Sequence, residues 1–252
     1  MKSSYTLFLF LALASCTPHY TPAQYRFTEQ KITVHDSRDE KMWNEILPYK
    51  DSLDKEMNVV LAVSDTILTK STPESDIGNF MCDLILKKSR NYFTQPVDFT
   101  IMNNGGIRLP NLPKGNITLG DITELMPFEN RVVLMSVSGK TVDSLFNHMA
   151  ANGGWQVSGA RYAINKFPKS GGEPVAVNIS IGNEPLNLNK NYSLAISDYL
   201  AQGGDNCKML VGIPYTDSKK TIREALVEGL KEMTIRGEHV KSILDGRVQI
   251  QK

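Results

Sequence analysis

What most limits the fold of this chain is the order of its segment types. After residue 31, apolar runs of strand length come interspersed with helix-period patterns, but the two do not alternate strictly. Strict alternation builds a doubly wound parallel sheet, whereas this order predicts an α+β domain with mixed sheets. Asn58 to Val63, Val97 to Met102, Val132 to Val137, Val175 to Ile181, Tyr192 to Ser197 and Arg247 to Ile250 read as strands. Met42, Trp43, Ile46, Leu47 and Leu53 mark a first helix, which Pro48 is expected to kink. Ser75 is placed to cap a second, with Ile77, Phe80, Met81, Leu84 and Ile85 on one face and Lys87, Lys88 and Arg90 near its end. Val142, Leu145, Phe146 and Met149 form the inner stripe of a helix over Thr141 to Met149, and Ile222, Leu226, Leu230 and Met233 that of a helix over Thr221 to Met233. A hydrophobic content of 41% suffices for a proper core, and no linker after residue 31 is long enough to separate a pair of domains.

The first residues have a different character. Met1-Lys2, an apolar run from Tyr5 to Leu13 and then Leu13-Ala14-Ser15-Cys16 read as a basic start, a short hydrophobic region and a lipobox, so residues 1–15 are expected to be a cleaved signal peptide. A spanning helix needs about 20 apolar residues, more than this run supplies. Cys16 would then carry the lipid, residues 16–30, polar with Pro18 and Pro22, would be a tether, and the domain would occupy 31–252. Thr17 after the cysteine resembles lipoproteins sorted to the outer membrane, and the side expected is the periplasmic one.

A net charge of +1, with no basic block and no aromatics interleaved with one, speaks against nucleic acid as a partner. His19, His35, His148 and His239 each stand alone without ligand spacing and read as surface or packing residues. Cys82 and Cys207 could pair in an oxidising compartment, but distance in sequence leaves a bridge the less favoured reading. There is no Gly-x-Ser-x-Gly elbow, P-loop or Cys–His pairing.

Three strings remain that could bind a ligand. Asn103-Asn104-Gly105-Gly106-Ile107-Arg108 follows a strand; glycines admit close backbone approach, Asn both donates and accepts, and Arg forks around a carboxylate or phosphate. A tight turn followed by a surface Arg accounts for the same string. Met126-Pro127-Phe128-Glu129-Asn130 puts an aromatic between a short helix and a strand, where such a Phe is ordinarily core. Asp198-Tyr199-Leu200-Ala201-Gln202-Gly203-Gly204-Asp205 again runs from a strand into a glycine turn. Aromatics on two loops can sandwich a flat base, each face contributing about 1–3 kcal/mol, and a carboxylate suits ribose hydroxyls.

Together with Glu74-Ser75-Asp76-Ile77-Gly78-Asn79, Val137-Ser138-Gly139 and Ser158-Gly159, in this order, these strings resemble the C-terminal, substrate-binding domain of the 5'-nucleotidase family over roughly residues 40 to 235. The resemblance implies a four-layer αββα domain that binds the nucleoside part of a nucleotide. It further implies Phe128 and Tyr199 as the base clamp, Asp205 as ribose partner, Asn103, Gly106 and Arg108 as backbone and phosphate-side contacts, and Asn130 and Gly159 at the base edge. Ser71 stands where the family has an Arg, so one contact is missing unless Lys70 supplies it; Asp76 replaces an Asn, Tyr199 a Phe, and Asn206-Cys207 a glycine followed by an aromatic.

In that family hydrolysis depends on two divalent metals held by histidine-rich strings of an N-terminal domain, and none of those strings occurs in this sequence. No catalytic or metal-binding residue is therefore expected, and no cofactor. The leading expectation is the substrate-recognition subunit of a split periplasmic nucleotidase acting in nucleotide catabolism, with a separately encoded metallophosphatase supplying the metals. A lipoprotein that captures nucleosides or nucleotides without hydrolysis is the alternative, and a structural lipoprotein with a decayed pocket is disfavoured by the joint presence of Asn103, Arg108, Phe128 and Asp205.

Overall fold

The computed structural model describes residues 39–169 and 171–251. The expected signal peptide, Cys16, the tether, His19, His35 and the domain start at 31–38 lie outside the described residues. Two units are distinguished, 1–45 and 46–252. Of the first, only the opening of helix α1 (Glu40–Met57) is described, where Asp39 Oδ1 accepts from the amides of Lys41 and Met42. The helix is continuous across Pro48, and none of its residues is buried. The periodicity at Ile46 and Leu53 thus marks a helix whose apolar stripe is exposed, at 48% and 54%.

The second unit is organised by a five-stranded sheet of order β12-β6-β11-β3-β7, whose strands are β3 (Phe99–Met102), β6 (Arg131–Ser138), β7 (Gln156–Ser158), β11 (Asn191–Ser197) and β12 (Tyr215–Thr221). β11 and β3 run parallel and the other neighbours antiparallel, giving the mixed sheet expected from the segment order. Alternation along β6 sends Val132 and Leu134 to one face and Val133, Met135 and Val137 to the other, each into a separate core.

On the first face lie helices α2 (Asp76–Tyr92) and α6 (Ile222–Ile235), with Ile77, Phe80, Met81, Leu84 and Ile85 meeting Ala225, Leu226 and Leu230. Ser75 caps α2 through the amide of Gly78, and Thr221 with Glu224 closes a reciprocal capping box on α6. Gly229 allows the close crossing, because a Cβ there would come within 2.9 Å of Leu84 Cδ2. The same core takes in β1 (Val60–Ser64), β2 (Leu68–Thr69), β4 (Asn111–Leu112), β5 (Gly115–Thr118) and helix α3 (Leu119–Leu125), with β1 paired to β5 and β2 to β4.

The opposite face meets helix α4 (Gly139–Ala151) and a four-stranded sheet of order β10-β9-β8-β13, made of β8 (Ala160–Asn165), β9 (Val175–Ile181), β10 (Glu184–Pro185) and β13 (Val248–Ile250). Phe146 of α4 reaches both sheets, its ring 5.9 Å from Phe99 and 5.1 Å from Tyr162. The chain passes from one sheet to the other at Gly159, where φ is +75° and a Cβ would fall 2.3 Å from the carbonyl of Asp98.

Cys82 and Cys207 are both buried free thiols in different cores, separated by the five-stranded sheet, so no bridge joins them. Burial, and then the charge of Asp205, push the Cys207 thiol up to about 12, which leaves it protonated and inert.

Candidate nucleoside site

Sheet topology brings the three candidate strings to one end of the five-stranded sheet. β3 and β11 are parallel neighbours, so the loop after Met102 and the loop after Ser197 leave on the same side. β6 is antiparallel to β11 with Val132 opposite Ser197, so the segment entering β6, which carries Phe128 and Asn130, arrives at that side too. The result is a pocket of ≈ 310 Å³ lined by Asn103, Gly105, Gly106, Arg108, Phe128, Asn130, Tyr199 and Asp205. That volume is at the lower end of the range for small-molecule sites, roughly 300–1,000 Å³. Seven of the eight residues expected to contact substrate therefore share one cavity.

Asp205 is the hub. Asn103, nearly buried at the end of β3, donates from Nδ2 to Asp205 Oδ2 at 2.6 Å. The Tyr199 hydroxyl donates to Oδ1 at 2.7 Å and accepts from the Asp205 amide at 3.2 Å. His148 Nε2 lies 2.8 Å from the Asp205 carbonyl, and since a carbonyl only accepts, Nε2 carries the proton. These contacts hold Asp205 at φ 48°, ψ 36°, a left-handed conformation that Asp tolerates better than most residues. The carboxylate raises the Tyr199 hydroxyl above its usual range, keeping it protonated as the donor.

The aromatic walls come from two short elements. Helix α5 (Asp198–Ala201), capped by Ser197 through the Leu200 amide, carries Tyr199. Its ring lies against Gly204, where a Cβ would come within 2.5 Å of ring carbons, so this glycine makes room for the wall. Phe128 follows Pro127 after α3. Phe128 and Tyr199 are 38% and 44% exposed, whereas a core aromatic would be covered, so the core alternative for Phe128 does not hold.

On the remaining side, the Arg108 guanidinium stands 5.8 Å from the Phe128 ring centroid, and its amide donates to the Leu125 carbonyl. Lys70 Nζ donates to the carbonyl of Ile107 at 2.7 Å, beside the pocket and not among its lining residues. Burial and then the charge of Arg108 lower the Lys70 ammonium, which places two cations close together. Gly106 has its amide on the Asn103 carbonyl, and a Cβ on it would approach Asn103 Oδ1 to 2.9 Å. Asn130 fixes the start of α6 by accepting from the Ile222 amide.

Gly159 is not in the pocket. Its place is the strand crossover, where its carbonyl accepts from the Gly182 amide and a side chain would strike Asp98, so its role is backbone geometry rather than contact with a base edge. The Glu74–Asn79 string is likewise structural. Glu74 accepts from the amides of Asp245, Gly246 and Arg247 and from Asn79 Nδ2, while Asp76 accepts from the Thr69 amide and Ser242 Oγ. Ser71 is exposed and donates to the nearby Glu74 carbonyl. His148 is the residue the sequence did not single out: its pocket role depends on a contact 57 positions away, which no local pattern announces. Among the described residues no group of three or more His, Cys, Asp or Glu side chains could hold a metal ion.

The family model for the 5'-nucleotidase C-terminal domain matches residues 57–212. The trifunctional nucleotide phosphoesterase protein YfkN of Bacillus subtilis is 26% identical over 233 residues, covering 86% of this chain and 16% of that protein. A snake venom 5'-nucleotidase of Naja atra is 30% identical over 158 residues, covering 55% and 30% respectively. The solved 5'-nucleotidase precursor from Thermus thermophilus is 28% identical with a TM-score of 0.70, over 83% of this chain and 43% of that one. The chain spans less than half the length of each of these three proteins. By the match of its fold and more than half its length, the chain belongs to the 5'-nucleotidase C-terminal domain family.

Proposed function

We propose that this protein recognises the nucleoside part of a nucleotide. The base stacks between Phe128 and Tyr199, the ribose hydroxyls meet Asp205 and Asn103, and Arg108 takes the phosphate side with Asn130 and Gly106 completing the wall. The observation that carries this reading is the single pocket in which two exposed aromatics, a fixed carboxylate and a cation converge from three loops. Stacking walls tolerate any flat base, a carboxylate prefers sugar hydroxyls, and a guanidinium prefers phosphate.

The recognition step is assigned to a split phosphohydrolase of nucleotide catabolism. A separate exported metallophosphatase supplies two divalent metals and the water they activate, and this chain, tethered through Cys16 to the outer membrane on its periplasmic side, supplies the substrate site. The histidine strings of a metal centre are missing from this sequence, and Ile46, Tyr49 and Leu53 of α1 leave an apolar stripe open of the kind a partner protein covers.

Calorimetric titration of adenosine and AMP tests the pocket. Phe128→Ala and Tyr199→Ala are each expected to cost about 1–3 kcal/mol of binding, and unchanged affinity in both would sink the clamp. Phosphate release from AMP with Mn²⁺ or Zn²⁺ tests the split. The expected result is none from this protein alone and turnover once the copurifying metallophosphatase is added; turnover by this chain alone would refute it, and binding with no such partner would leave a nucleoside-capturing lipoprotein.

A further inference from the structure

The Tyr199 hydroxyl has a second task besides capping an aromatic wall. Every polar atom of Asp205 is engaged within the protein: the amide by Tyr199, the carbonyl by His148, Oδ1 by Tyr199 and Oδ2 by Asn103. Each carboxylate oxygen accepts only one of these bonds and so keeps one lone pair. Asp205 is exposed on the pocket, so the free lone pairs, one on each oxygen, are available to a ligand. Two acceptors held side by side on a fixed carboxylate match two neighbouring hydroxyls, one bond to each.

The backbone explains why that carboxylate needs holding. Gly203, Asp205 and Asn206 take φ values of 95°, 48° and 62°, so the loop runs through left-handed conformations, two of them on residues with side chains. Such residues keep their geometry only where their surroundings over-determine it. Tyr199 contributes to that from α5, Asn103 from the end of β3 and His148 from α4, so the anchors come from three separate elements. Tyr199→Phe would preserve the ring against Gly204 and remove two of the four anchoring bonds at once.

We propose that the Tyr199 hydroxyl is a specificity-determining, positioning group that locks the Asp205 carboxylate as a two-point acceptor for a vicinal diol, making the pocket select ribonucleosides over 2'-deoxyribonucleosides. This rests on the nucleoside reading of the site. A ligand without one hydroxyl leaves one carboxylate oxygen facing the sugar's hydrocarbon with its lone pair unmet, and sites built around a hydroxyl reject the analogue lacking it far more strongly than apolar pockets reject a missing methylene.

The test is titration calorimetry of the full chain with adenosine, 2'-deoxyadenosine, uridine and 2'-deoxyuridine, on the wild type, Tyr199→Phe, Asp205→Asn and the double variant. The wild type is expected to prefer the ribo form of at least one pair by about tenfold or more, and Tyr199→Phe to lose most of that preference by weakening the ribo form far more than the deoxy form. Asp205→Asn is expected to remove the preference as well, and Tyr199→Phe to change it no further in that background, because the hydroxyl acts through the carboxylate. A Tyr199→Phe protein that retains the wild-type preference, or that weakens both sugar forms equally, overturns the proposal while leaving nucleoside recognition standing. A wild type that binds none of the four nucleosides overturns the nucleoside reading itself, and this proposal with it.

Discussion

Among the described residues that line the pocket, Arg108 is the one cation. The Phe128 ring lies under its guanidinium and Lys70 adds a second positive charge nearby, while among the described residues no carboxylate is ion-paired with it. A guanidinium so placed has hydrogen-bond donors to spare for an anion. Arg108→Ala is therefore expected to weaken AMP by about tenfold more than it weakens adenosine, a split that paired calorimetric titrations would read directly. Equal losses for both ligands would mean that Arg108 serves only to support Phe128. At this scale the residue types were legible and their partners were not. Asn103, Arg108, Phe128 and Asp205 stood out by type and setting, but the bonds from Asn103 and His148 to Asp205 join positions 102 and 57 apart, which only the folded chain brings together.

Among elements, the seam between α2 and α6 shows how charge is stored next to a core. Lys88 is almost fully buried, with Glu228 at 3.1 Å and Glu232 at 2.5 Å, and the Tyr92 hydroxyl donates to Glu228 at 2.7 Å. Burial pushes the Glu228 carboxyl up, but the hydrogen bonds from Tyr92, Lys220 and Lys88 outweigh it and hold the group down at about 2. A carboxylate depressed from 4.5 to about 2 in the folded chain adds stability above pH 4.5, and that contribution is lost as pH falls towards 2. Urea melts across that window are expected to show a steeper acid loss for the wild type than for Glu228→Gln, and parallel curves would place the acid-sensitive group elsewhere. Apolar stripes and caps decide which elements the sequence disclosed. α2, α4 and α6 have clear apolar stripes and capping residues, and all three emerge near their predicted limits. β12 was missed because Tyr215–Thr221 is an edge strand with no buried residue, so it has no apolar alternation to see. β7 and β8 were missed because Gly159 breaks one extended run into strands of two different sheets.

For the molecule as a whole, two cores flank one mixed sheet, and the pocket forms where the parallel pair β3 and β11 ends. Two of the strings were legible because each follows a strand and leads to a glycine turn, Asn103–Arg108 after β3 and Asp198–Asp205 after β11, and the third, Met126–Asn130, enters β6 at the same end of the sheet. Gly159 misled for the same reason: a glycine within a recognised string signals a backbone constraint as readily as a ligand contact, and here Asp98 supplies the constraint. In the proposed complex a nucleoside lies between Phe128 and Tyr199 with its sugar on Asp205. A crystal structure of the protein grown with adenosine is the decisive test. The adenine ring is expected between those two side chains, with both ribose hydroxyls within hydrogen-bond distance of the Asp205 carboxylate; adenosine bound away from both rings, with the pocket between them empty, would refute that placement.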